Sequence, residues 1–397
     1  MPESWRSSAM ADKDINRIIA DTFLKMADTL ETGAEAPRAV IALTALGSEH
    51  GEDELYQAAA MAAKQGIRVK VIGTKPSNYP GVETVSVSSE EEGHKELENL
   101  LTSGSAQGGV TMHYPFPIGV STVGRVITPA KGKAMYIATT TGTSALDRVE
   151  GLVRNALYGI ATAKACGVAE PTVGLLNIDG ARQVEIQLQR LQNSGYPIRL
   201  ATSGRSDGGA IMRGNDLLMG SCDVMVTDSL TGNILMKLFS SYNTGGNYES
   251  VGYGYGPGMG ENFDKLILIV SRASGAPVVK GAIEFAAELV RGDYQRVFAM
   301  ELKAAKQAGL DAVLAGCRAQ KQTGDPAEAV VQPPKEVVTA EIHGIEILDL
   351  EDAVQTLWKE NIYAESGMGC TGPVILLAKS KMEAARCILR DKGYIGE

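Results

Sequence analysis

The chain carries 397 residues, 44% of them hydrophobic and 21% charged, with a formal net charge of -9. That length supports two core-forming lobes, and the acidic balance excludes the basic footprint of a protein that binds nucleic acid or an anionic membrane surface. Glycine occurs 45 times while aromatic residues make up 5%, a balance that suits turns and close backbone approaches and leaves few stacking platforms.

Residues 1–35 read as a helical surface segment without the uninterrupted apolar core of a signal peptide, so a cytoplasmic chain is expected. From Ala39 short apolar runs alternate with longer helix-like stretches: AVIALTALG, DELYQAAAMAAKQG, IRVKVIGT, VETVSVSS and EEEGHKELENLL. The rhythm resumes after Lys133 with AMYIATTT, RVEGLVRNALYGIATAKACG, TVGLLNID, ARQVEIQLQRLQNSG, IRLATS, DVMVTD and NILMKLFSSY. Such alternation predicts βαβ units on a largely parallel sheet and a doubly wound, three-layer α/β/α core over residues 36–320. The glycine- and tyrosine-rich residues 244–263 interrupt it and read as a long surface loop or lid. Residues 321–338 mix polar, Pro and Ala residues without periodicity and read as a linker. Beyond it, residues 339–397 hold IEILDL, EDAVQTLWKEN, VILLA and KSKMEAARCILRDKG, a small β-α-β-α module that should dock on the main body. No run stays apolar for the roughly eighteen residues of a membrane span, so no membrane partner is expected.

Cys166, Cys222, Cys317, Cys370 and Cys387 are scattered without a CxxC pair, and His50, His94, His113 and His343 show no HExxH spacing. Neither a disulfide framework nor a metal site is expected. No GxGxxG follows the first strand and no GxxxxGK[ST] occurs, which leaves a nicotinamide fingerprint and a P-loop unsupported.

The turns after the apolar runs carry the chemistry. In CDVMVTDSLTGNILMKL a strand ends at Asp228 and a helix begins near Thr231 or Gly232, so free backbone N–H groups and the helix dipole offer an anion site, with Asn233 beside it and Lys237 further along. The same residues also suit an ordinary connection in which Ser229 or Thr231 caps the helix. In TVGLLNIDGARQVE, Asn177, Asp179 and Arg182 can face the same cleft, or Asp179 can simply cap the next helix. TTTGTSALDR and SRASGAPVVKG, with Arg272 and Lys280 nearby, have similar small turns. With parallel strands these turns line one crevice, and their shared message is phosphate or phosphoester binding. His50, in GSEHGEDE, sits either at a ligand or in a solvated acidic loop.

Cys166 and Cys387 lie in Ala-rich helical surroundings, where a thiol packs as a small hydrophobe. Cys370 lies instead in GMGCTGP. Glycines there let a substrate approach and present amides to a thioester oxygen; a turn that needs small residues accounts for the Cys equally well. Its base would come from elsewhere, His343 or another subunit.

DSLTGNILMKL after a strand, with LLNIDG and SGAPVVKGAI in the same order, resembles the helix-opening element of the phosphate acyltransferases, both PlsX-type acyl-phosphate synthases and phosphate acetyltransferases. With GMGCTGP added, nearly the whole chain is similar to the component C alpha subunits of glycine, sarcosine and betaine reductase complexes. The resemblance implies a PlsX-like, isopropylmalate-dehydrogenase-like fold and phosphorolysis of an enzyme-bound acetyl thioester to acetyl phosphate. Inorganic phosphate is then the co-substrate, with no organic cofactor and no metal. It implies Cys370 as the acetylated thiol, and Asn233 with Asp228, Ser229, Thr231, Gly232, Lys237 and Asn177 around the phosphate or the thioester carbonyl. The implied partners are the component C beta subunit and selenoprotein A, in an oligomer. Residues 244–263 stand where PlsX-type enzymes have a helical hairpin, so acyl-carrier docking is not carried over. A stand-alone phosphate acyltransferase using coenzyme A or acyl-carrier thioesters, or a non-catalytic organising subunit, are the alternatives.

Overall fold

A computed structural model describes residues 23, 39–204, 208–322, 332–342, 345, 350–369, 372–392 and 394–395. The expected helical segment over residues 1–35 lies outside the described residues except for Phe23, as do Cys370, His343, residues 346–349 of IEILDL and residues 323–331 of the linker. The chain divides into two compact units, Met1–Cys317 and Arg318–Glu397.

The first unit is built on strands β1 (Val40–Thr44), β2 (Arg68–Gly73), β3 (Val82–Ser86), β4 (Gly108–Thr111), β5 (Val120–Ile127) and β6 (Ala134–Thr143). They are joined by β7 (Thr172–Leu176), β8 (Arg199–Leu200), β9 (Ile211–Met212), β10 (Val224–Val226), β11 (Gly256–Met259) and β12 (Ile267–Ile269). All belong to one sheet in the order β3-β2-β1-β4-β12-β11-β5-β6-β10-β7-β8, with β9 beside β7. Valine, isoleucine and leucine fill its faces. The helices Glu52–Ala63, Arg148–Ala165, Ala181–Asn193 and Ala276–Arg291 bury one face. Glu90–Thr102 and Ser229–Ser241 cover the other. This is the three-layer α/β/α architecture read from the alternation.

The sheet is not parallel throughout. One half, β3 to β12, is parallel, and so is the other, β6 to β8. Between them β11 pairs antiparallel with both β12 and β5, and β5 antiparallel with β6. These successive reversals make the two halves run in opposite directions, so their carboxyl ends open at opposite edges of the sheet. The turns expected to share one crevice are thereby split.

β11 corrects a second expectation. Residues 256–259 of the supposed surface loop form a fully buried central strand. Its glycines serve close packing: at Gly256 (φ +83) an added Cβ would collide with the Val123 carbonyl oxygen, and at Gly258 with the Phe116 ring. Arg125 of β5 reinforces the junction. Its guanidinium lies 3.9 Å from the Tyr253 ring centroid and 4.3 Å from that of Phe285, with an ion pair to Glu288 at 2.6 Å.

The second unit comprises β13 (Ala340–Ile342), helix Leu350–Lys359, β14 (Ala364–Gly369), β15 (Gly372–Leu377) and helix Met382–Asp391. Its antiparallel sheet has the order β13-β15-β14. Leu357, Ile375, Leu377 and Leu389 are fully buried in its own core. The order is thus β-α-β-β-α, because ESGMG, which lies outside the expected elements, pairs along β15 from Ala364 to Gly369. Among the described residues no helix is long and apolar enough to cross a membrane.

Two glycine substitutions separate collision from conformational strain. Gly246 is also left-handed (φ +84) but has open space where a Cβ would stand. Gly246→Ala is expected to cost about 1 kcal/mol. Gly256→Ala, which adds the collision with β5, is expected to cost more than about 2 kcal/mol. Urea titration and thermal melting of the two variants check the difference.

Candidate functional site

β6, β10 and β7 lie side by side and parallel, so their following turns emerge at one edge. Each turn opens a helix there: Arg148–Ala165 after β6, Ala181–Asn193 after β7 and Ser229–Ser241 after β10. A helix N-terminus presents unpaired N–H groups and roughly half a positive charge, so the edge gathers positive potential from backbone alone. Carboxylates meet part of it. Asp147 accepts from the Glu150 amide at 2.9 Å, and Asp228 accepts from both the amide and the hydroxyl of Thr231 at 2.9 Å. The cap is therefore Asp228, not Ser229 or Thr231. Gly180 opens the third helix without a side-chain cap.

The Ser229–Ser241 helix starts pressed onto β6. A Cβ at Gly232 would collide with the Thr139 carbonyl, and Asn233 donates from Nδ2 to the Thr140 carbonyl at 3.3 Å. Ser229 lines a cavity of about 110 Å3 together with Thr143, Ser144, Arg148, Asn155 and Asp228. The space is open to solvent and has room for a small anion. Arg148 spans its rim. Its Nε donates to the Asp179 carbonyl at 3.0 Å, and its guanidinium lies 3.5 Å from the Asp179 carboxylate and 3.6 Å from that of Asp228. Half-exposed, this cation can turn toward an incoming anion.

Beneath the cavity Asn155 is buried and fully engaged. Its Oδ1 accepts from the hydroxyls of Ser121 at 3.0 Å and Ser144 at 2.7 Å, while Nδ2 donates to the Thr227 carbonyl at 3.3 Å. One side chain thus ties β5, the turn after β6 and the turn after β10 together. Arg148 and Asn155 were both missed in the sequence. The signal for Asn155 was a polar residue among the apolar positions of a helix; for Arg148 it was a cation in the first helical turn after TGTSALD.

The remaining expected residues divide. Asp228, Ser229, Thr231, Gly232 and Asn233 stand together, and Asn177 lies exposed at the same edge at the end of β7. Lys237 does not join them. Further along its helix it pairs with the buried Glu249 at 3.3 Å, which also accepts from Ser274 after β12 at 3.3 Å. Arg182 pairs with Glu185 at 2.7 Å on its own helix, Lys280 likewise with Glu284 at 2.7 Å, and Arg272 with Glu90 at 2.7 Å at the opposite edge. His50 contacts the Ala273 carbonyl at 3.1 Å, also at that edge. Among the described residues no group of three or more His, Cys, Asp or Glu is placed to hold a metal ion.

Residues 39–376 match the family model described as "Fatty acid synthesis protein". The chain is 55% identical to the glycine/sarcosine/betaine reductase complex component C subunit alpha of Peptoclostridium acidaminophilum, over 96% of this chain and 99% of the relative. The chain belongs to this family of alpha subunits. It is also 27% identical to a phosphate acyltransferase of Thermus thermophilus, over 50% of this chain and 70% of that protein. Among solved structures it is similar to a branched-chain phosphotransacylase from Enterococcus faecalis, with 19% identity, a TM-score of 0.45, and coverage of 63% of this chain and 99% of that one.

Within this alpha subunit the described thiols are mostly withdrawn from chemistry. Burial pushes Cys166 and Cys222 up to about 12, and burial, with the charges of Asp147 and Glu150, raises Cys317 as well. Cys387 is exposed. A thiol reacts as its thiolate, so iodoacetamide at pH 8 is expected to label Cys387 and leave Cys166 and Cys222 unmodified until denaturant is added, as read by peptide masses. At the site itself, Asp228→Ala removes the helix cap and is expected to cost about 1 kcal/mol in urea titration, while Asp228→Asn, also a good cap, costs about 0.5 kcal/mol or less.

Proposed function

We propose that this chain transfers an acetyl group from an enzyme-bound thioester to inorganic phosphate, releasing acetyl phosphate as the alpha subunit of an amino-acid reductase complex. The observation that carries the reading is the meeting of an open polar cavity, the N-terminus of Ser229–Ser241 and the half-exposed cation Arg148 at one sheet edge. The relatives named as a reductase subunit and as a phosphate acyltransferase agree with its two halves.

A phosphate oxygen attacks the thioester carbonyl carbon and forms the new C–O bond. The C–S bond then breaks, its electron pair stays on sulfur, and the thiolate takes up a proton from water. Negative charge moves from the attacking phosphate onto the carbonyl oxygen as the bond forms. Preorganised amides favour that charge in the transition state more than in the ground state, while Arg148 holds and orients the phosphate. The carrier is Cys370, which stands in sequence between β14 and β15; burial of Cys166, Cys222 and Cys317 removes three competitors. Phosphate is the co-substrate, and the component C beta subunit and selenoprotein A are the partners through which the acetyl group arrives.

The reaction can be run backwards. The purified chain, alone and with its partner subunit, is incubated with acetyl phosphate, and intact and peptide masses are measured. Acetylation mapping to Cys370 and reversed by added phosphate is expected. Arg148→Ala should raise the phosphate concentration for half-maximal deacetylation about tenfold, equivalent to about 1.4 kcal/mol. Asp228→Asn should lower it, because one carboxylate competing for Arg148 is gone. If Cys370 stays unmodified with and without the partner, it is not the carrier. Unchanged phosphate dependence in Arg148→Ala moves the phosphate site elsewhere.

A further inference from the structure

Thr139, Thr143, Ser144 and Ser229 bring hydroxyls to the cavity beside Arg148. Thr143 and Ser229 are the more open pair, while Thr139 and Ser144 are buried, with 3% and 6% exposure. A hydroxyl has one hydrogen to give and two lone pairs. In both buried residues that hydrogen is already spent. Ser144 Oγ donates to Asn155 Oδ1 at 2.7 Å and has the Gly151 carbonyl oxygen at 3.0 Å. Asn155 Nδ2 donates to the Thr227 carbonyl, so Oδ1 is the atom turned to Ser121 and Ser144. Neither neighbour of the Ser144 hydroxyl can donate to it. Whichever of them takes its hydrogen, only lone pairs remain for a ligand. Thr139 repeats the pattern, with Oγ1 2.6 Å from the Thr122 carbonyl oxygen and 3.0 Å from that of Thr141. The carboxylates of Asp147 and Asp228 line the same space, each capping a helix. An anion that brings oxygens alone meets lone pairs and like charge on all of these groups.

We propose that the site reads protonation: Ser144 accepts the hydrogen of a monoprotonated oxyanion, so hydrogen phosphate is taken and sulfate is refused. Sulfate has the same shape and double charge but no hydrogen at neutral pH, and it would leave the buried acceptor without a donor. The inference rests on the phosphate site proposed above and names the residue that selects the ligand there. Arg148 and the opening amides of the Ser229–Ser241 helix hold the charged oxygens, and Ser144 holds the O–H. The oxygen that bears the hydrogen is thereby kept from attack, and one of the other three forms the C–O bond.

Binding of inorganic phosphate, fluorophosphate and sulfate to the full chain, measured by titration calorimetry at neutral pH, tests this apart from acyl transfer. Fluorophosphate keeps the double charge and puts fluorine where the hydroxyl stands. Wild type is expected to bind phosphate about tenfold more tightly than either of the others, and Ser144→Ala to bring the three anions within about twofold by weakening phosphate alone. Ser144→Thr, which keeps the hydroxyl, should restore the preference. Equal binding of the three anions by wild type overturns the inference; if Arg148→Ala then weakens all three, the anion site itself stands. Equal weakening of all three in Ser144→Ala also overturns it, because Ser144 then only shapes the cavity. Affinities that Arg148→Ala leaves unchanged overturn the site and this inference together. If Ser144→Ala does not fold, Ser144→Cys carries the same test, since sulfur is a weak acceptor.

Discussion

Gly256 leaves no side chain between β11 and β5, and that contact determines where everything else in the first unit lies. β11 is the antiparallel strand through which the sheet passes from one parallel half to the other. A side chain at position 256 would push it off the Val123 carbonyl and open the sheet at its centre. Arg125 holds the same junction from the side, packed between Tyr253 and Phe285 and paired with Glu288. Removing a charge from water is costly unless it is paired, so the guanidinium is stable there only while rings and carboxylate stay in place. Its retention ties the two halves in one arrangement.

The reversal sorts the polar turns. Those after β6, β7 and β10 meet, while the turn after β12 opens at the other edge and finds its own partners in Glu90 and Glu249. At the meeting edge, helix N-termini supply positive potential and Asp147, Asp179 and Asp228 offset it locally. Arg148 is shared between two of these carboxylates at 3.5 and 3.6 Å, distances beyond a short hydrogen-bonded ion pair. A dianion entering the cavity would compete with two carboxylates whose contacts to Arg148 are long, while the 3.0 Å hydrogen bond from Nε to the Asp179 carbonyl anchors the guanidinium. Asn155 keeps the turns at fixed separation beneath it, with each of its polar groups engaged.

The Ser229–Ser241 helix joins the site to the sheet. Its N-terminus faces the cavity, its inner face packs on β5 and β6, and its outer face exposes Leu230, Ile234 and Leu238. Gly232 fixes its height above the sheet.

The amino-acid order alone determined the α/β class, the βαβ rhythm, a separate C-terminal module and the cluster from Asp228 to Asn233, because these rest on local periodicity and on residues adjacent in the chain. It misled where glycine was read as looseness. GPGM became a buried strand and ESGMG a paired one, since a missing side chain serves close packing as well as flexible turns, and only the neighbours distinguish the two. Arg148 and Asn155 acquire meaning from Asp228, Ser121 and Thr227, which are distant in sequence. Which turns share an edge was decided by tertiary structure, because strand direction depends on the antiparallel pairings of β11 and β5, and no single segment encodes its partner's direction.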